Sequence, residues 1–228
     1  MKHPILHRSF EVLLVATLLP VLLPTGAVLA MAVALESPGG PWFTQRRPGR
    51  LGRVFVMRKF RTMRQPDLDA PFRLTTLGDD RLTRTGRWMR TLHLDELPQL
   101  WHVLTGDMRL VGPRPVPFEL YAAYLEKIPG YDMRHAVPPG ITGLAQVCIG
   151  YTNTLEGERQ KWRYDCCYIA RQSLVFDMRI LWATLASALG YTGPARALRA
   201  AVAEEISAAE HGCAVDDGVH SDRGEAAL

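Results

Sequence analysis

The segment Val12–Leu35 reads VLLVATLLPVLLPTGAVLAMAVAL, and it contains no charged side chain. As one straight helix it would reach about 36 Å at about 1.5 Å per residue, which is enough to cross a bilayer. Pro20, Pro24 and Gly26 interrupt it. A proline removes a backbone donor and clashes with the preceding turn. The segment therefore predicts a membrane helix that is broken inside the apolar core, with neither half long enough to cross alone.

Basic residues flank this segment on both sides: Lys2 and Arg8 precede it, and Arg46, Arg47, Arg50 and Arg53 follow it. Because positive charge near a membrane segment favours the cytoplasmic side, both ends are expected there. A re-entrant hairpin that enters and leaves the same face satisfies both observations. Two alternatives stay open, a single spanning anchor and a signal peptide cleaved in the small-residue stretch Ala30–Ala34.

The composition limits the partners of the chain. Its 228 residues carry a formal net charge of +4 and give a pI of about 9.0, which suits a phosphorylated small molecule, a lipid surface or nucleic acid. Four cysteines are present, without paired zinc-ligand spacing, and Cys166 and Cys167 are adjacent. We interpret the cysteines as reduced and the chain as facing the cytosol.

Hydrophobic periodicity predicts mainly α structure with a few short strands. A strand is expected at Val54–Met57 and a loop at Gln65–Pro71. The predicted helices are Thr83–Leu92, Asp95–Leu104, Pro117–Lys127, Leu155–Arg171, Leu174–Leu189 and Ala195–Ala209. From His211 onward the small, polar residues predict disorder. The division expected is a membrane helix in residues 1–40, a cytosolic domain of amphipathic helices in 41–192, and a C-terminal helix with a disordered tail in 193–228.

Two adjacent carboxylates stand out in Leu94-Asp95-Glu96-Leu97-Pro98. Such a pair is often only solvated charge on a helix surface. Here apolar neighbours on both sides predict partial burial, and buried carboxylates need a cationic partner. In phosphoryl chemistry one carboxylate attacks or acts as a base, and another holds a divalent metal.

Cations crowd the region before this pair: Arg58, Lys59, Arg61, Arg64, Arg73, Arg81, Arg84, Arg87 and Arg90. Arginine suits bidentate phosphate binding, although a basic face on anionic lipid explains part of the set. Arg114 stands between Pro113 and Pro115, a rigid turn that would aim one side chain. Gly112 and the glycines in Pro139–Leu144 could bring backbone amides close to a phosphate, and His93 and His102 are weaker candidates for a metal.

Taken together, these motifs resemble the bacterial sugar transferase family, the monotopic polyprenyl-phosphate phosphoglycosyl transferases. The resemblance runs from about Phe10 to Thr184. The motifs that carry it are Phe43–Gly49 (FTQRRPG), Lys59–Met63 (KFRTM), Leu94–Leu100 (LDELPQL), Gly106–Pro115 (GDMRLVGPRP), Pro139–Val147 (PGITGLAQV), and Asp177 with Ile180 and Thr184.

The resemblance implies transfer of a sugar phosphate from a nucleotide diphosphate sugar, with a bias to UDP-sugars, to a polyprenyl phosphate acceptor such as undecaprenyl phosphate. It implies that Asp95 is the nucleophile of a covalent phosphosugar intermediate and that Glu96, with Asp95, is associated with a required Mg²⁺. It assigns Lys59, Arg61, Arg90 and Arg114 to the donor phosphates. The membrane helix would break near Pro24.

The resemblance also implies a setting. The enzyme would release UMP, initiate exopolysaccharide, lipopolysaccharide or other surface glycan assembly at the bacterial inner membrane, and expose its catalytic domain to the cytoplasm. Downstream glycosyltransferases are possible partners, nucleic acid is not an expected one, and the oligomeric state and the sugar stay open.

Three positions depart from the family pattern. Leu23 precedes Pro24 where the family often has Ser, Arg109 stands where it usually has Ser, and Cys148–Tyr151 replaces the usual Asn-Gly-Arg. Two alternative functions also stay open. One is a non-catalytic basic protein at the membrane surface. The other is a glycosyltransferase that moves the sugar without its phosphate and releases UDP.

Overall fold

The computed structural model describes residues 4–64, 79–150, 152 and 154–220, with side chains described as far as residue 207. Eight α-helices and four short strands are present in these ranges, in agreement with the predicted mainly α class. They are α1 (Pro4–Glu36), β1 (Trp42–Pro48), β2 (Val54–Phe60), α2 (Arg84–Thr91), α3 (Gln99–Thr105), β3 (Arg109–Val111), α4 (Phe118–Lys127), β4 (Gly140–Thr142), α5 (Leu144–Ile149), α6 (Leu155–Arg171), α7 (Leu174–Ala188) and α8 (Gly193–His220).

Contacts divide the chain into two compact units, Met1–Ile141 and Thr142–Leu228. The first contains α1 to α4, the β1–β2 hairpin and the carboxylate pair. The second is built from α5 to α8. This division does not test the boundaries expected near residues 40 and 192, which stay predictions.

Helix α1 includes one stretch, Ile5–Glu36, that is long and apolar enough to cross a membrane, by length and composition. Pro20 and Pro24 both lie inside the helix, so the predicted interruption is absent from the secondary structure. Each proline removes one N–H, but the two rings stand four residues apart on one face, and helical bonding continues around them. Whether α1 re-enters or spans a membrane stays a prediction.

The two ends of α1 are covered by protein, but its middle is not. His7, Glu11 and Val15 are buried at the start, and Leu29 and Val33 are buried near the end. Between them, residues 16–28 are exposed or half-buried. Both covered ends pack within the unit Met1–Ile141.

The end of α1 packs against the region that carries the carboxylate pair. Leu29 and Val33 form a buried apolar cluster with Phe60 of β2 and Met89 of α2. Leu94 and Leu97, which flank the carboxylates, pack against this cluster. Burying each such side chain contributes about 1.5–3 kcal/mol, so the cluster fixes α1, β2 and the carboxylate turn together.

The β1–β2 hairpin confirms the predicted strand and extends it. Its antiparallel register pairs Trp42 with Phe60 and Phe43 with Lys59. The strand expected at Val54–Met57 therefore continues through Arg58-Lys59-Phe60. The indole of Trp42 stacks on the Phe60 ring, with centroids 5.1 Å apart.

Around the carboxylate pair the prediction was partly wrong. Asp95 does not begin a long helix, because Leu94–Glu96 form a separate 3₁₀ turn and α3 begins only at Gln99, after Pro98. His93 precedes the turn in the left-handed conformation, with φ 55° and ψ 21°. This conformation, which few non-glycine residues adopt, turns the chain out of α2 and presents Asp95 and Glu96.

The other predicted helices agree with the structure to within a few residues, except at the C-terminus, and helix α5 was not predicted. Helix α6 has the expected bounds, and the Thr154 hydroxyl caps it by accepting from Gly157 N. Helix α8 continues to His220, where disorder was expected from His211. Extending an existing helix adds one backbone hydrogen bond per residue, which favours continuation over a new start. The loop expected at Gln65–Pro71 and the tail after His220 lie outside the described residues.

Candidate active site

Glu96 is held by two cations from different parts of the chain. Lys59 Nζ, on β2, donates to Glu96 Oε1 at 2.6 Å. Arg114 binds the same carboxylate with both terminal nitrogens, Nη1 donating to Oε2 at 3.2 Å and Nη2 donating to Oε1. Burial alone would raise the pKa of Glu96, but Arg114 and Lys59 outweigh it and hold this pKa well below its usual range. Glu96 is therefore a fixed anion.

Asp95, one residue away, has the opposite environment. Only 7% of it is exposed. Within the described part of the chain, no group donates a hydrogen bond to its carboxylate. Burial raises the pKa of Asp95, an effect opposed by the charge of Lys59 and reinforced by that of Glu96. Neighbouring carboxylates whose pKa values are pushed apart are typical of sites that divide two chemical roles.

Backbone packing on both sides aims Arg114. A Cβ on Gly112 would lie 2.7 Å from the carbonyl oxygen of Pro138. The chain can therefore run this close to Pro138 after β3 only because residue 112 is glycine. Gly140 N donates to Pro113 O at 2.9 Å, and Arg114 Nη1 also donates to Ile141 O at 3.4 Å. The Pro113-Arg114-Pro115 turn is therefore rigid, as the sequence predicted.

Arg90 is a further cation near Asp95. Its Nε donates to Thr62 Oγ1 at 2.8 Å, which orients the guanidinium, and its charge lowers the pKa of Asp95. No acceptor among the described residues bonds its two terminal nitrogens. Helix α2 can approach Thr62 this closely only because residue 86 is glycine. A Cβ at this position would overlap the Thr62 carbonyl oxygen. Arg90 thus offers a bidentate donor next to Asp95.

The structure does not place Arg61 with the other predicted phosphate ligands. Its guanidinium is buried and donates to Pro38 O and Ser37 O, both at 2.6 Å, and to Ser37 Oγ at 3.0 Å. Both terminal nitrogens are therefore occupied by the turn after α1. We reassign Arg61 from phosphate binding to holding the end of α1 against β2.

Three residues near the site were not singled out from the sequence. Thr62 orients Arg90. Arg134 donates to Arg114 O at 3.1 Å, and Arg47 donates to Pro115 O. Burial and the neighbouring Arg114 lower the pKa of Arg47. Arg47 lies in the FTQRRPG motif, which could have marked it as a site residue. Its charge was interpreted only as part of the basic flank of the membrane segment. Thr62 lies in the KFRTM motif but was not named as a site residue, and nothing in the local sequence marks Arg134.

Two carboxylates are the side chains that could hold a divalent metal. Magnesium is commonly bound by one or two carboxylates together with substrate phosphates, and Asp95 with Glu96 fits that donor set. Among the described residues, no three or more His, Cys, Asp and Glu side chains are grouped so that they could hold a metal ion. His102 is committed elsewhere, because its Nε2 accepts from Arg58 N at 3.3 Å and its Nδ1 faces Asp107 at 3.4 Å. His93 adopts the left-handed conformation that turns the chain between α2 and the 3₁₀ turn.

The remaining predicted features are structural. Cys148, Cys166 and Cys167 are free cysteines in the part of the chain whose side chains are described. Burial raises the pKa of Cys148 to about 12, so this thiol is unreactive. Cys148 also lies in the unit Thr142–Leu228, whereas Lys59, Arg90, Asp95, Glu96 and Arg114 all lie in Met1–Ile141.

A family model described as bacterial sugar transferase matches residues 2–190. The chain is 39% identical over 183 residues to the UDP-glucose:undecaprenyl-phosphate glucose-1-phosphate transferase of Escherichia coli K12. It is 38% identical over 184 residues to the UDP-N-acetylgalactosamine-undecaprenyl-phosphate N-acetylgalactosaminephosphotransferase of Aeromonas hydrophila. It is also 38% identical over 191 residues to the exopolysaccharide production protein PSS of Rhizobium leguminosarum.

These relatives differ in length. The aligned parts cover 79%, 81% and 81% of this chain, in the same order. They cover only 39% and 44% of the first two relatives, but 96% of the third.

Proposed function

Because the chain belongs to the bacterial sugar transferase family, we propose that it transfers a sugar 1-phosphate from a UDP-sugar to undecaprenyl phosphate. The names of the E. coli and A. hydrophila relatives support both the donor and the acceptor class. The observation that carries the proposal is the pair of adjacent carboxylates with opposite environments. One is fixed by two cations, and the other is buried and receives no hydrogen bond from the described residues. UDP-glucose is the donor to test first.

The first step is an attack by Asp95. An oxygen of its carboxylate forms a bond to the β-phosphorus of the donor, and the bond from that phosphorus to the bridging oxygen breaks, so that UMP leaves. Asp95 suits this role because no donor in the described ranges binds its carboxylate and holds its electron pairs. Arg90 and Lys59 lie where they stabilise negative charge on the phosphoryl group.

The second step returns Asp95 to its starting state. A phosphate oxygen of the polyprenyl acceptor attacks the same phosphorus, and the bond to Asp95 breaks. The product is a polyprenyl diphosphate sugar. Two successive displacements let a soluble donor and a lipid acceptor use one site in turn. All phosphate groups are accounted for in UMP and the lipid product.

Glu96 and Arg114 support both steps. Their ion pair places the Arg114 guanidinium beside Asp95, and Lys59 is held by the same carboxylate. Asp95 and Glu96 are the residues that would hold Mg²⁺ together with the donor phosphates. A bound Mg²⁺ would supply charge stabilisation to the phosphates.

We further propose that α1 is re-entrant at the bacterial cytoplasmic membrane, with the catalytic unit on the cytoplasmic face. Arg8, in the second turn, donates to Leu104 O at 2.8 Å and to Val103 O. Glu36, at the far end, accepts from Arg84 N at 2.7 Å and from Thr85 N at 2.9 Å. All these partners lie in the unit Met1–Ile141. A spanning helix would separate its two ends by the bilayer, so contacts of both ends with one unit support the re-entrant proposal.

The reaction is tested by product analysis. Purified protein in detergent is incubated with undecaprenyl phosphate and UDP-glucose labelled with ³²P at the β-phosphate. The proposal predicts UMP in solution and label in the lipid. Release of UDP with unlabelled lipid would instead indicate transfer of the sugar alone. Absence of turnover, with tolerance of Asp95 and Glu96 substitutions in vivo, would favour the non-catalytic membrane-surface protein.

A further inference from the structure

A second buried ion pair lies away from the carboxylate site, at the start of α1. Glu11 and Arg109 are 4% and 5% exposed, and Arg109 Nε donates to Glu11 Oε1 at 3.1 Å and to Oε2 at 3.3 Å. Arg109 Nη2 also donates to His7 Nδ1 at 3.0 Å. A carboxylate in an apolar helix is costly unless it is paired, so Glu11 has a specific reason to be there.

Glu11 also contacts the backbone of β3. Its Oε1 accepts a second hydrogen bond from Leu110 N at 3.1 Å. On the other side, Arg109 N donates to Pro139 O at 2.8 Å. Strand β3 is therefore fixed between α1 and the segment that leads into β4. Glu11 therefore holds β3 at two points, the Arg109 side chain and the Leu110 backbone N–H.

Strand β3 leads directly into the Arg114 turn. Only three residues lie between Leu110 and Arg114, and the chain between them has little freedom. Gly112 packs against Pro138 without room for a side chain, and Pro113 O accepts from Gly140 N. A displacement of β3 would therefore move the guanidinium that holds Glu96.

We propose that Glu11 is a positioning residue, which acts through Arg109 and β3 to set Arg114 against Glu96. The inference rests on the proposed function, because its readout is formation of the phosphosugar on Asp95. It gives a role to Arg109, which the sequence showed as a departure from the usual serine. It also makes the start of the membrane helix part of the active-site framework, rather than an anchor alone.

The chain offers a matched control in Arg8. Arg8 lies in the same part of α1 and also ties it to the unit Met1–Ile141, but it binds Val103 O and Leu104 O, at the C-terminal end of α3. Among the described residues, its hydrogen bonds involve neither β3 nor the Arg114 turn. If Glu11 served only to attach α1, replacing either residue would have the same effect.

The test measures single-turnover labelling of the full-length protein by UDP-glucose labelled at the β-phosphate, without lipid acceptor. Positioning predicts that Glu11→Gln lowers the rate constant by about tenfold to a hundredfold, because small misplacements of catalytic groups are costly. The Arg8→Met variant should keep this rate constant within about twofold of wild type. Loss of folded protein alone would lower the amplitude of labelling and leave its rate constant unchanged.

The double variant Glu11→Gln/Arg109→Gln covers the case in which the single variant does not fold. It leaves no unpaired buried charge, so it should fold, and it should label more slowly than Arg8→Met. Wild-type rate constants in a folded Glu11→Gln protein or in the double variant would overturn the inference. An equal slowing by Arg8→Met would do the same. If wild-type protein takes up no label, the proposed function itself fails instead.

Discussion

Arg114 grips the carboxylate of Glu96 with both of its terminal nitrogens, and 35% of the Arg114 side chain stays exposed. Glu96 itself is only 13% exposed, so the arginine is the more accessible partner. Under the proposed function, this guanidinium neutralises Glu96 and is also accessible to the donor phosphates. Among the residues that the structure describes, none donates a hydrogen bond to the carboxylate of neighbouring Asp95, and this difference supports the proposal of different tasks for the two carboxylates.

Replacing Arg114 by Lys should slow UMP release by at least about tenfold, because lysine is a point charge that cannot bind a carboxylate through two parallel hydrogen bonds. The measurement is the initial rate with saturating UDP-glucose and lipid acceptor. Arg171→Lys is the matched control, since Arg171 pairs with the exposed Glu205 in the other unit. It should change the rate by less than about twofold. Equal rates for the two variants would contradict the role of Arg114.

The pH dependence of the rate should reflect Lys59. Burial and the charge of Arg114 lower the pKa of Lys59 to about 8, against the opposing effect of Glu96. The charged form is the active one, so activity should fall as pH rises through about 8. Lys59→Arg should move this alkaline limb upward, because arginine stays charged. An alkaline limb near pH 8 that persists in Lys59→Arg would assign it to another group.

Thr62 should affect donor binding through Arg90. In Thr62→Val the Arg90 Nε loses its acceptor and the guanidinium loses its orientation. Hydrogen bonds to charged groups contribute about 1.5–3 kcal/mol, so the KM for UDP-glucose should rise by about tenfold. Thr62→Ser keeps the hydroxyl and should restore a KM near that of wild type. If the serine and valine variants bind donor equally, the hydroxyl does not orient Arg90.

The topology of α1 is open to cysteine labelling in intact spheroplasts. Single cysteines at residues 5 and 45, in a background without the native cysteines, should both resist a membrane-impermeant maleimide until the membrane is permeabilised. The reason is that both ends of α1 bind the same unit. Labelling of residue 5 alone in intact spheroplasts would establish a spanning helix.

Sequence patterns predicted elements and local turns better than partners in space. The bounds of α6 follow from its periodicity and its Thr154 cap, and both are local properties. The 3₁₀ turn at Asp95 was missed because it depends on the left-handed conformation of His93, which no periodicity reveals. Arg61 and Arg90 were equivalent candidates in the sequence. Only the distant groups Ser37 and Thr62 separate them, and their approach is a property of the folded unit.

The central claim concerns the chemical role of Asp95, and peptide mass spectrometry tests it most directly. Wild-type protein is incubated with UDP-glucose without acceptor, quenched and digested. The account predicts a hexose phosphate adduct on Asp95, slower formation of the same adduct in Glu96→Gln, and none in Asp95→Asn. An adduct on any other residue, or labelling that survives in Asp95→Asn, would contradict it.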